Sequence, residues 1–300
     1  MPEGNEIHRW AERHTAAFAG RPVRVEAPTH SRFEDASLLD GKTLLRVMAV
    51  GKHLGYDFGK DRILHVHLGM YGDFVEGTGP LPEEKGALRV RMWNAETVKR
   101  GVLPGEHKRH GWYSEDDGTG HVEPESVAWV ELRGPTDCSV YSQEKWDTLL
   151  KRLGPDPLNG DGPDEFVKKV RARKTAVGAL LMDQTVAAGV GNIFRAEVLF
   201  RAKLSPFTPG SDVPEVTLKA IWKDLGPLMK AAMVDRRIIT TKPKDRPTKK
   251  TGLPLKEEAH YVYRRQGKPC LVCGTKILTK EMAGRNLFWC PVCQAEEKKA

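Results

Sequence analysis

The sequence predicts an α+β multidomain fold, in which an N-terminal antiparallel β-sandwich precedes a helical domain and a C-terminal β-hairpin with four cysteines. Three observations support this prediction. Segments between residues 21 and 132 are short and β-branched or alternating, segments between residues 163 and 234 have helical period, and two Cys-x2-Cys pairs lie near the end. We place the domains at residues 1–135, 136–260 and 261–296.

Composition bounds the class of protein. With 300 residues, 39% of them hydrophobic and 29% charged, the chain has room for two domains with their own cores and a small appendage. No apolar run approaches the roughly eighteen residues of a membrane span, and the N-terminus is charged where a signal peptide is apolar. We therefore expect a cytoplasmic protein, associated with the nucleoid if it binds DNA.

The positive charge is concentrated near the C-terminus. The whole chain carries +8, but residues 236–300 hold 16 Lys and Arg against 6 Asp and Glu, a net charge of +10. Such a basic segment is typical of a surface that binds a polyanion such as nucleic acid. A solvated or disordered tail would have the same charge, so the charge alone leaves both interpretations open.

The first residues carry an unusual nucleophile. If Met1 is removed, Pro2 presents a secondary amine, and an α-amino pKa of roughly 7.7 to 8.0 leaves part of it unprotonated near neutral pH. Such an amine can attack an aldehyde-like carbon to form an iminium ion, and Glu3 beside it could carry protons. Many proteins begin with Met-Pro-Glu and have no such activity, so other motifs must decide.

The predicted elements of the first domain begin with a helix over residues 5–19, because five side chains there share one face. The predicted strands are Arg21–Ala27, Thr43–Val50, His53–Phe58, Ile63–Leu68, Leu88–Trp93 and Val127–Leu132. Residues 94–125 are polar and glycine-rich and predict a long surface excursion, whose His107, His110 and His121 we interpret as solvated.

The second domain is predicted to be helical, with helices at residues 163–172, 175–183, 192–203 and 216–234. A glycine-rich segment, Gln184–Gly191, joins the second of these helices to the third by two successive turns, which makes a helix-two-turns-helix. Its backbone N–H groups and Asn192 lie at a helix start, where an anion can bind. Residues 242–258 are basic and contain prolines, which predicts a mobile linker or loop.

The end of the chain predicts a metal site. Tyr261–Arg265 has strand character and leads into the two cysteine pairs, which are separated by sixteen residues. This spacing predicts a tetrahedral site for one structural zinc ion (Zn2+) on a β-hairpin, because four thiolates leave no open coordination position. The predicted ligands are Cys270, Cys273, Cys290 and Cys293. Cys138 has no such partner and is predicted to be a small buried side chain.

Taken in order, the motifs resemble those of the formamidopyrimidine-DNA glycosylase and endonuclease VIII family of bifunctional base-excision enzymes. The resemblance covers nearly the whole chain, and five motifs in the family's order are hard to obtain by chance. They are Pro2-Glu3-Gly4 with Glu6, Gly51-Lys52, His67 to Gly72 (HLGMYG), Gly189 to Glu197 (GVGNIFRAE), and Gly284-Arg285 before Cys290-Pro291-Val292-Cys293-Gln294.

The resemblance implies a DNA glycosylase with apurinic/apyrimidinic lyase activity. Pro2 would attack C1′ of the damaged nucleotide and displace the base, and the resulting Schiff base would permit β-elimination and then δ-elimination. Glu3 would be the acid-base residue, and Lys52 would hold a phosphate and help to position the lesion. Without the family context, an exposed strand lysine is the simpler interpretation of Lys52.

The resemblance also implies contacts to DNA. His67 and Asn192 match positions that contact the DNA backbone, and Arg285 matches the finger arginine that binds phosphates beside the lesion. Met70 and Tyr71 match side chains that fill the gap left by an everted nucleotide, although core packing on a strand is the ordinary alternative. The partner would be double-stranded DNA with oxidised bases or abasic sites, bound by a monomer, with no membrane involved.

Departures from the family pattern bear on the substrate. The Pro-Glu-Gly start and Tyr71 resemble the endonuclease VIII branch, which favours oxidised pyrimidines. The 8-oxoguanine branch carries an Arg-Arg-Phe-Gly stretch with further intercalating residues, where this chain has Glu131–Asp137. Asn5 replaces a proline that is common to both branches. We therefore expect excision of oxidised pyrimidines.

Two other functions remain open at this point. A catalytically silent zinc-finger protein could use the same elements to recognise damaged or single-stranded DNA, although intact Pro2, Glu3 and Lys52 argue against silence. A generic zinc-ribbon module with an unrelated N-terminal domain would lack the motif order of residues 2–72, which is present.

Overall fold

The computed structural model describes residues 2–94, 123, 126–248 and 252–295. The predicted excursion with its three histidines therefore lies almost entirely outside the described residues. None of the helices within the described ranges is long and apolar enough to cross a membrane.

The chain divides into two compact units, an N-terminal unit of residues 1–2 and 7–151 and a C-terminal unit of residues 3–6 and 152–300. The first turn of helix α1 (Gly4–Phe18) belongs to the C-terminal unit, and the rest of α1 belongs to the N-terminal unit. The apolar face predicted for this helix is correct, since Ile7, Trp10, Ala11, His14 and Phe18 are all buried.

The N-terminal unit contains two antiparallel sheets, as predicted. One has the strand order β2-β1-β7-β8-β6 and the other β3-β4-β5-β9. The inward side chains of both sheets and of α1 form one hydrophobic core. The strands are β1 (Pro22–Glu26), β2 (Lys42–Thr43), β3 (Arg46–Val50), β4 (His53–Asp57), β5 (Ile63–His67), β6 (Asp73–Gly77), β7 (Leu88–Asn94), β8 (Trp129–Arg133) and β9 (Asp137–Tyr141), with a short helix α2 (Ala36–Leu39) and a longer one, α3 (Gln143–Arg152).

The C-terminal unit contains the remaining helices and a β-hairpin. The helices are α4 (Pro163–Arg171), α5 (Val177–Leu180), α6 (Asn192–Arg201) and α7 (Glu215–Val234). The hairpin pairs β10 (Leu278–Met282) with β11 (Arg285–Trp289) through a two-residue turn, Ala283-Gly284. Both turn residues have positive φ, 54° and 68°, which matches the right-handed twist of the paired strands.

Several elements differ from the sequence predictions. Strands β6 and β9 and helix α3 were not predicted, and the helix predicted over 175–183 is reduced to α5. The prediction of a strand at Tyr261–Arg265 is wrong. The backbone N–H groups at 261, 262 and 263 all donate to the buried carboxylate of Glu197, at 2.8 Å each, so they cannot join a strand ladder.

The basic segment 242–258, predicted as a mobile linker or loop, is a loop with two short 3-10 helices in the part that the structure describes, and several hydrogen bonds hold it. Arg246 is buried and donates to the hydroxyl and the carbonyl oxygen of Thr241, at 3.0 and 2.7 Å. The backbone N–H and hydroxyl of Thr248 donate to the carboxylate of Glu258, at 2.9 and 2.7 Å. Cys138 is buried as predicted, and burial raises the pKa of its thiol to about 12.

We predict that Gly55→Ala destabilises the N-terminal unit. A Cβ on Gly55 would lie 2.8 Å from the ring atom Cη2 of Trp146 on α3, and two ring atoms beside it would also be too close. Overpacking of this kind costs about 1–3 kcal/mol, which should lower the free energy of unfolding measured with denaturant. Gly79→Ala is the matched control, because a Cβ at Gly79 meets nothing within 4 Å. Equal stability of the two variants would contradict this account of Gly55.

Candidate active site and zinc finger

Glu3 is held at the start of α6. Its side chain is buried, and its carboxylate oxygens accept hydrogen bonds from the backbone N–H groups of Gly191, Ile193 and Phe194 at 3.1, 2.7 and 3.3 Å. N–H groups in the first turn of a helix have no partner within the helix, and the helix dipole adds to their attraction for a negative charge. The anion predicted at this helix start is therefore the chain's own carboxylate.

Two glycines make this contact possible. Gly191 is the N-cap of α6 in an extended conformation, and a Cβ there would overlap the side chain of Glu3. The N–H of Gly4 donates to the carbonyl oxygen of Gly189 at 2.8 Å, and a Cβ on Gly4 would lie 2.8 Å from the Cα of Gly189. The Pro-Glu-Gly motif and the Gly-Val-Gly motif are thus the two sides of one contact.

Asn192, the first residue of α6, joins this helix to the finger hairpin. Its Nδ2 donates to the carbonyl oxygen of Asn286 at 3.0 Å, and its Oδ1 accepts a hydrogen bond from Arg195. Arg195 is fully buried, donates to the carbonyl oxygen of Met282 at 3.0 Å, and has its pKa lowered to about 10 by burial. Arg285 lies half-buried at the first position of β11, one residue from Asn286. Sequence analysis gave Arg195 no role, although an arginine on a mostly apolar helix, three residues after Asn192, was an available signal.

The other predicted residues lie in the N-terminal unit. Pro2 is buried. Lys52 is half-buried in the tight turn from β3 to β4, where Gly51 has a φ of 59°. His67 is the last residue of β5, and its pKa is lowered by burial first and by the charge of Lys52 second. The structure therefore brings Lys52 and His67 within electrostatic range of each other, at the ends of neighbouring strands.

Met70 and Tyr71 lie in the turn between β5 and β6. Their exposed fractions are 45% and 83%, so the alternative of core packing is wrong for both. Gly69 begins this turn with a φ of 68°, and a Cβ there would overlap the side chain of Thr136. The turn therefore presents one flexible and one aromatic side chain to solvent from a position that packing fixes.

The four predicted cysteines form one cluster, with all Sγ atoms within 4.8 Å of one another. The separations of Cys270 from Cys293 and of Cys273 from Cys290 are 3.9 and 3.5 Å. A tetrahedral site with Zn–S bonds of about 2.3 Å requires separations of about 3.8 Å, so the four side chains fit one zinc ion. With four thiolate ligands the ion is structural, and it stabilises the folded finger.

Hydrogen bonds outside the metal cluster attach the finger to the helical domain. Gln294 donates from its side chain to the carbonyl oxygen of Leu204 at 3.0 Å and accepts from the N–H of Cys290 at 3.0 Å. The rings of Phe200 on α6 and Tyr261 stack with centroids 4.7 Å apart. The finger is therefore fixed to α6 by side chains that do not bind the metal.

The fold and the position of Glu3 define a class of protein, the DNA glycosylases with a helix-two-turns-helix and a zinc finger. Three family comparisons agree with this conclusion. Residues 1–101 match the formamidopyrimidine-DNA glycosylase N-terminal domain, residues 153–243 match the formamidopyrimidine-DNA glycosylase H2TH domain, and residues 267–295 match the zinc finger found in FPG and IleRS.

Individual relatives support the same assignment over the full length. Endonuclease 8 1 of Mycobacterium tuberculosis is 40% identical over 98% of this chain and 100% of its own. The crystal structure of the Fpg protein of Thermus thermophilus superposes with a TM-score of 0.69 at 26% identity, covering 99% of this chain and 100% of that one. Fpg of Lactococcus lactis, solved with DNA containing an oxidised pyrimidine, gives a TM-score of 0.71 at 24% identity over 98% and 100% of the two chains.

The chain belongs to the formamidopyrimidine-DNA glycosylase and endonuclease VIII family. Enzymes of this family are DNA glycosylases with apurinic/apyrimidinic lyase activity, so the chain is an enzyme of base-excision repair. The predictions of fold, activity and structural zinc are confirmed.

We predict that Gly191→Ala displaces Glu3 and lowers base excision. The added Cβ would occupy the space of the Glu3 side chain, and a misplacement of about 1 Å can cost roughly 10²-fold in rate. Excision would be measured in single-turnover assays on a duplex containing 5,6-dihydrouracil. The control is Gly162→Ala at the N-cap of α4, where a Cβ meets nothing within 4 Å. An unchanged excision rate for Gly191→Ala would show that the hydrogen bonds from the start of α6 do not set the position of Glu3.

Proposed function

We propose that this enzyme excises oxidised pyrimidines from double-stranded DNA and then cleaves the strand, with Pro2 as the nucleophile and Glu3 as the acid-base residue. The observation that carries the proposal is the set of hydrogen bonds that holds the Glu3 carboxylate at the start of α6. Glu3 directly follows the nucleophilic Pro2 in the sequence, and its carboxylate is buried and held by three backbone donors at the start of α6.

The proposed reaction begins at the amine of Pro2, once Met1 has been removed. Its lone pair forms a bond to C1′ while the bond from C1′ to the base breaks, and the departing base takes up a proton. Loss of the amine proton and opening of the sugar ring at O4′ leave an iminium ion between Pro2 and C1′. Glu3 lies next to the reacting amine and moves these protons.

The same iminium ion drives strand cleavage. It acidifies the proton on C2′, and removal of that proton expels the phosphate from C3′. A second elimination expels the phosphate from C5′, and hydrolysis of the iminium ion frees Pro2. Each elimination transfers one proton to a base and one electron pair to the departing phosphate, so the sequence needs no redox cofactor.

The remaining residues are proposed to bind DNA. Lys52 and His67, near each other at strand ends, contact phosphates beside the lesion. Asn192 uses one of its two amide hydrogens for the carbonyl oxygen of Asn286, which leaves the second for a phosphate oxygen. Arg285 binds phosphates from the finger hairpin, because a guanidinium can donate two parallel hydrogen bonds.

The preference for pyrimidines rests on the short connection between β8 and β9. Only Gly134, Pro135 and Thr136 join these strands, and the N–H of Thr136 donates to the carbonyl oxygen of His67 at 3.0 Å. This connection has no room for the extra intercalating residues of the 8-oxoguanine branch. Met70 and Tyr71 are then the side chains that fill the gap left by an everted nucleotide, and oxidised pyrimidines stack poorly and cost little to evert.

Two further parts of the proposal concern the state of the enzyme. We place it in the cytoplasm with the chromosomal DNA, and we expect it to act as a monomer. Sedimentation of the enzyme with a lesion-containing duplex would give a 1:1 mass for a monomer and a larger mass for any obligate oligomer.

We predict that borohydride traps a covalent adduct between this protein and a duplex with an abasic site, and that extra residues ahead of Pro2 abolish it. A Schiff base at Pro2 requires a free α-amine. Glu3→Gln should lose excision by ~10²- to 10⁴-fold but keep substantial lyase activity on a preformed abasic site, which has no base to expel. Trapping by a protein whose Pro2 is blocked, as verified by mass spectrometry, would contradict the assignment. DNA binding without any trapping would favour the catalytically silent alternative.

We predict that 5,6-dihydrouracil and thymine glycol are excised faster than 8-oxoguanine paired with cytosine. The connection between β8 and β9 cannot supply the residues that help to hold an everted purine, whereas Met70 and Tyr71 suffice for a small saturated base. The measurement is single-turnover excision in duplexes that differ only at the lesion. Faster removal of 8-oxoguanine than of either pyrimidine would overturn the branch assignment but leave the family unchanged.

A further inference from the structure

A polar cluster lies on the face of the sheet β3-β4-β5-β9 that is opposite the hydrophobic core, beside Trp146 of α3. In the strand register His65 pairs with Gly55 and with Ser139, and His67 pairs with Asp137, so these side chains share one face. His53, two residues before Gly55, lies on the same face. The alternate residues of these strands point into the core, as Leu54, Leu64, Val66 and Cys138 show.

Three of these side chains form a hydrogen-bonded chain. Nδ1 of His65 lies 3.1 Å from Oδ2 of Asp137, and Nε2 of His65 lies 3.0 Å from Nδ1 of His53. Asp137 also accepts hydrogen bonds from Ser139 and Tyr141, at 2.9 and 3.1 Å. Burial raises the pKa of Asp137, but its hydrogen bonds from Ser139, His65 and Tyr141 outweigh this and leave it below the ordinary value.

The donor and acceptor roles along these hydrogen bonds follow from the ionised carboxylate of Asp137. An ionised carboxylate only accepts, so Nδ1 of His65 donates and Nε2 of His65 accepts. Nδ1 of His53 must then donate, which fixes the tautomer of both rings. Both rings stay neutral near pH 7, because burial, as the largest cause, lowers the pKa of His53 to about 3 and that of His65 to about 4.

Charged neighbours act on the cluster from several elements. Lys52, from the turn before β4, lowers the pKa of His53 and of His67, and Lys145 on α3 lowers that of His65. Asp137 is the acidic group that opposes them in all three cases. A neutral, hydrogen-bonded array is therefore the form consistent with the charges around it.

The last side chain of the hydrogen-bonded chain, His53, lies against His67. The ring of His53 stacks on the ring of His67, with centroids 4.9 Å apart and planes at 25°, and on the ring of His65, at 5.2 Å and 25°. His65 is buried, whereas His53 and His67 are half-buried. The hydrogen bond to His65 fixes the plane of the His53 ring, and stacking on His53 then fixes the plane of the His67 ring.

We propose that Asp137, His65 and His53 are positioning residues for His67, holding its imidazole ring in the plane from which it contacts a DNA phosphate. The inference rests on the proposed role of His67 as a phosphate contact.

The test is a series of variants in and around the hydrogen-bonded side chains Asp137, His65 and His53. Each variant is assayed for affinity to a duplex with a tetrahydrofuran abasic analogue. Asp137→Ala removes the acceptor for His65 and should raise the half-saturating concentration about tenfold, the range of one hydrogen bond to a charged group. Asp137→Asn should restore affinity, because its amide oxygen can accept from His65 while its amide nitrogen donates to Ser139. The rate of borohydride trapping at saturating abasic DNA should change by less than about twofold, because only binding is affected.

Two further variants separate positioning from a general structural effect. Ser139→Ala removes one hydrogen bond to the same carboxylate but leaves the contact to His65, so affinity should stay at the wild-type level. His53→Ala should reproduce the loss of Asp137→Ala, and the double variant should lose no more than either single one, because both act through one path. Imidazole ¹⁵N shifts supply a signature independent of activity. His65 and His53 should carry the proton on Nδ1 in the wild type and in Asp137→Asn, but not in Asp137→Ala.

Equal weakening by Asp137→Asn and Asp137→Ala would overturn the proposal, because charge rather than the hydrogen bond would then matter. Fully additive losses in the double variant would overturn it as well. Should Asp137→Ala fail to fold, His53→Ala carries the same test, and wild-type affinity in that variant would refute the proposal. A wild-type protein that binds the duplex but does not trap abasic DNA would refute the proposed function, while the affinity series would still decide the role of the three residues.

Discussion

The contact between the Glu3 carboxylate and the start of α6 is the constraint on which the candidate active site depends. It joins the first residues of the chain to backbone N–H groups almost two hundred residues later. Burial of a carboxylate is tolerable only with several donors, and a helix start supplies them without any side chain. This contact requires glycine at positions 4 and 191. A Cβ on Gly4 would collide with Gly189, and a Cβ on Gly191 would collide with the side chain of Glu3.

Much of the fold could be predicted from the sequence, because helical and alternating periods and cysteine spacing are local signals. They located α1, most of the strands, the helix-two-turns-helix and the zinc ligands. They missed β9 and α3, which follow a Gly-Pro turn where the pattern breaks, and they gave a false strand at Tyr261–Arg265. That error has a non-local cause, because the backbone there is bound by Glu197, sixty-odd residues earlier. No local propensity contains such a contact.

In the candidate site, too, local sequence signals predicted some features, and features that depend on non-local contacts were missed. Residue types and motif order singled out Pro2, Glu3 and Lys52, but they did not reveal that the anion at the start of α6 is Glu3. Arg195 and the array of Asp137, His65 and His53 were missed as functional candidates, because their meaning depends on register and on contacts across strands. A one-residue shift in register would move each histidine to the opposite face of the sheet.

The finger shows how metal binding and orientation can be separated. Four thiolates fold the hairpin, but a folded hairpin could still take many orientations relative to the helices. Its orientation is set by buried polar groups with specific partners, namely Asn192 and Arg195 toward the hairpin and Gln294 toward the end of α6. Because an unpaired buried donor costs about 1–3 kcal/mol, alternative orientations that break these bonds are disfavoured. The position of Arg285 therefore follows from the hydrogen bonds of α6, and zinc contributes by making the hairpin rigid enough to carry them.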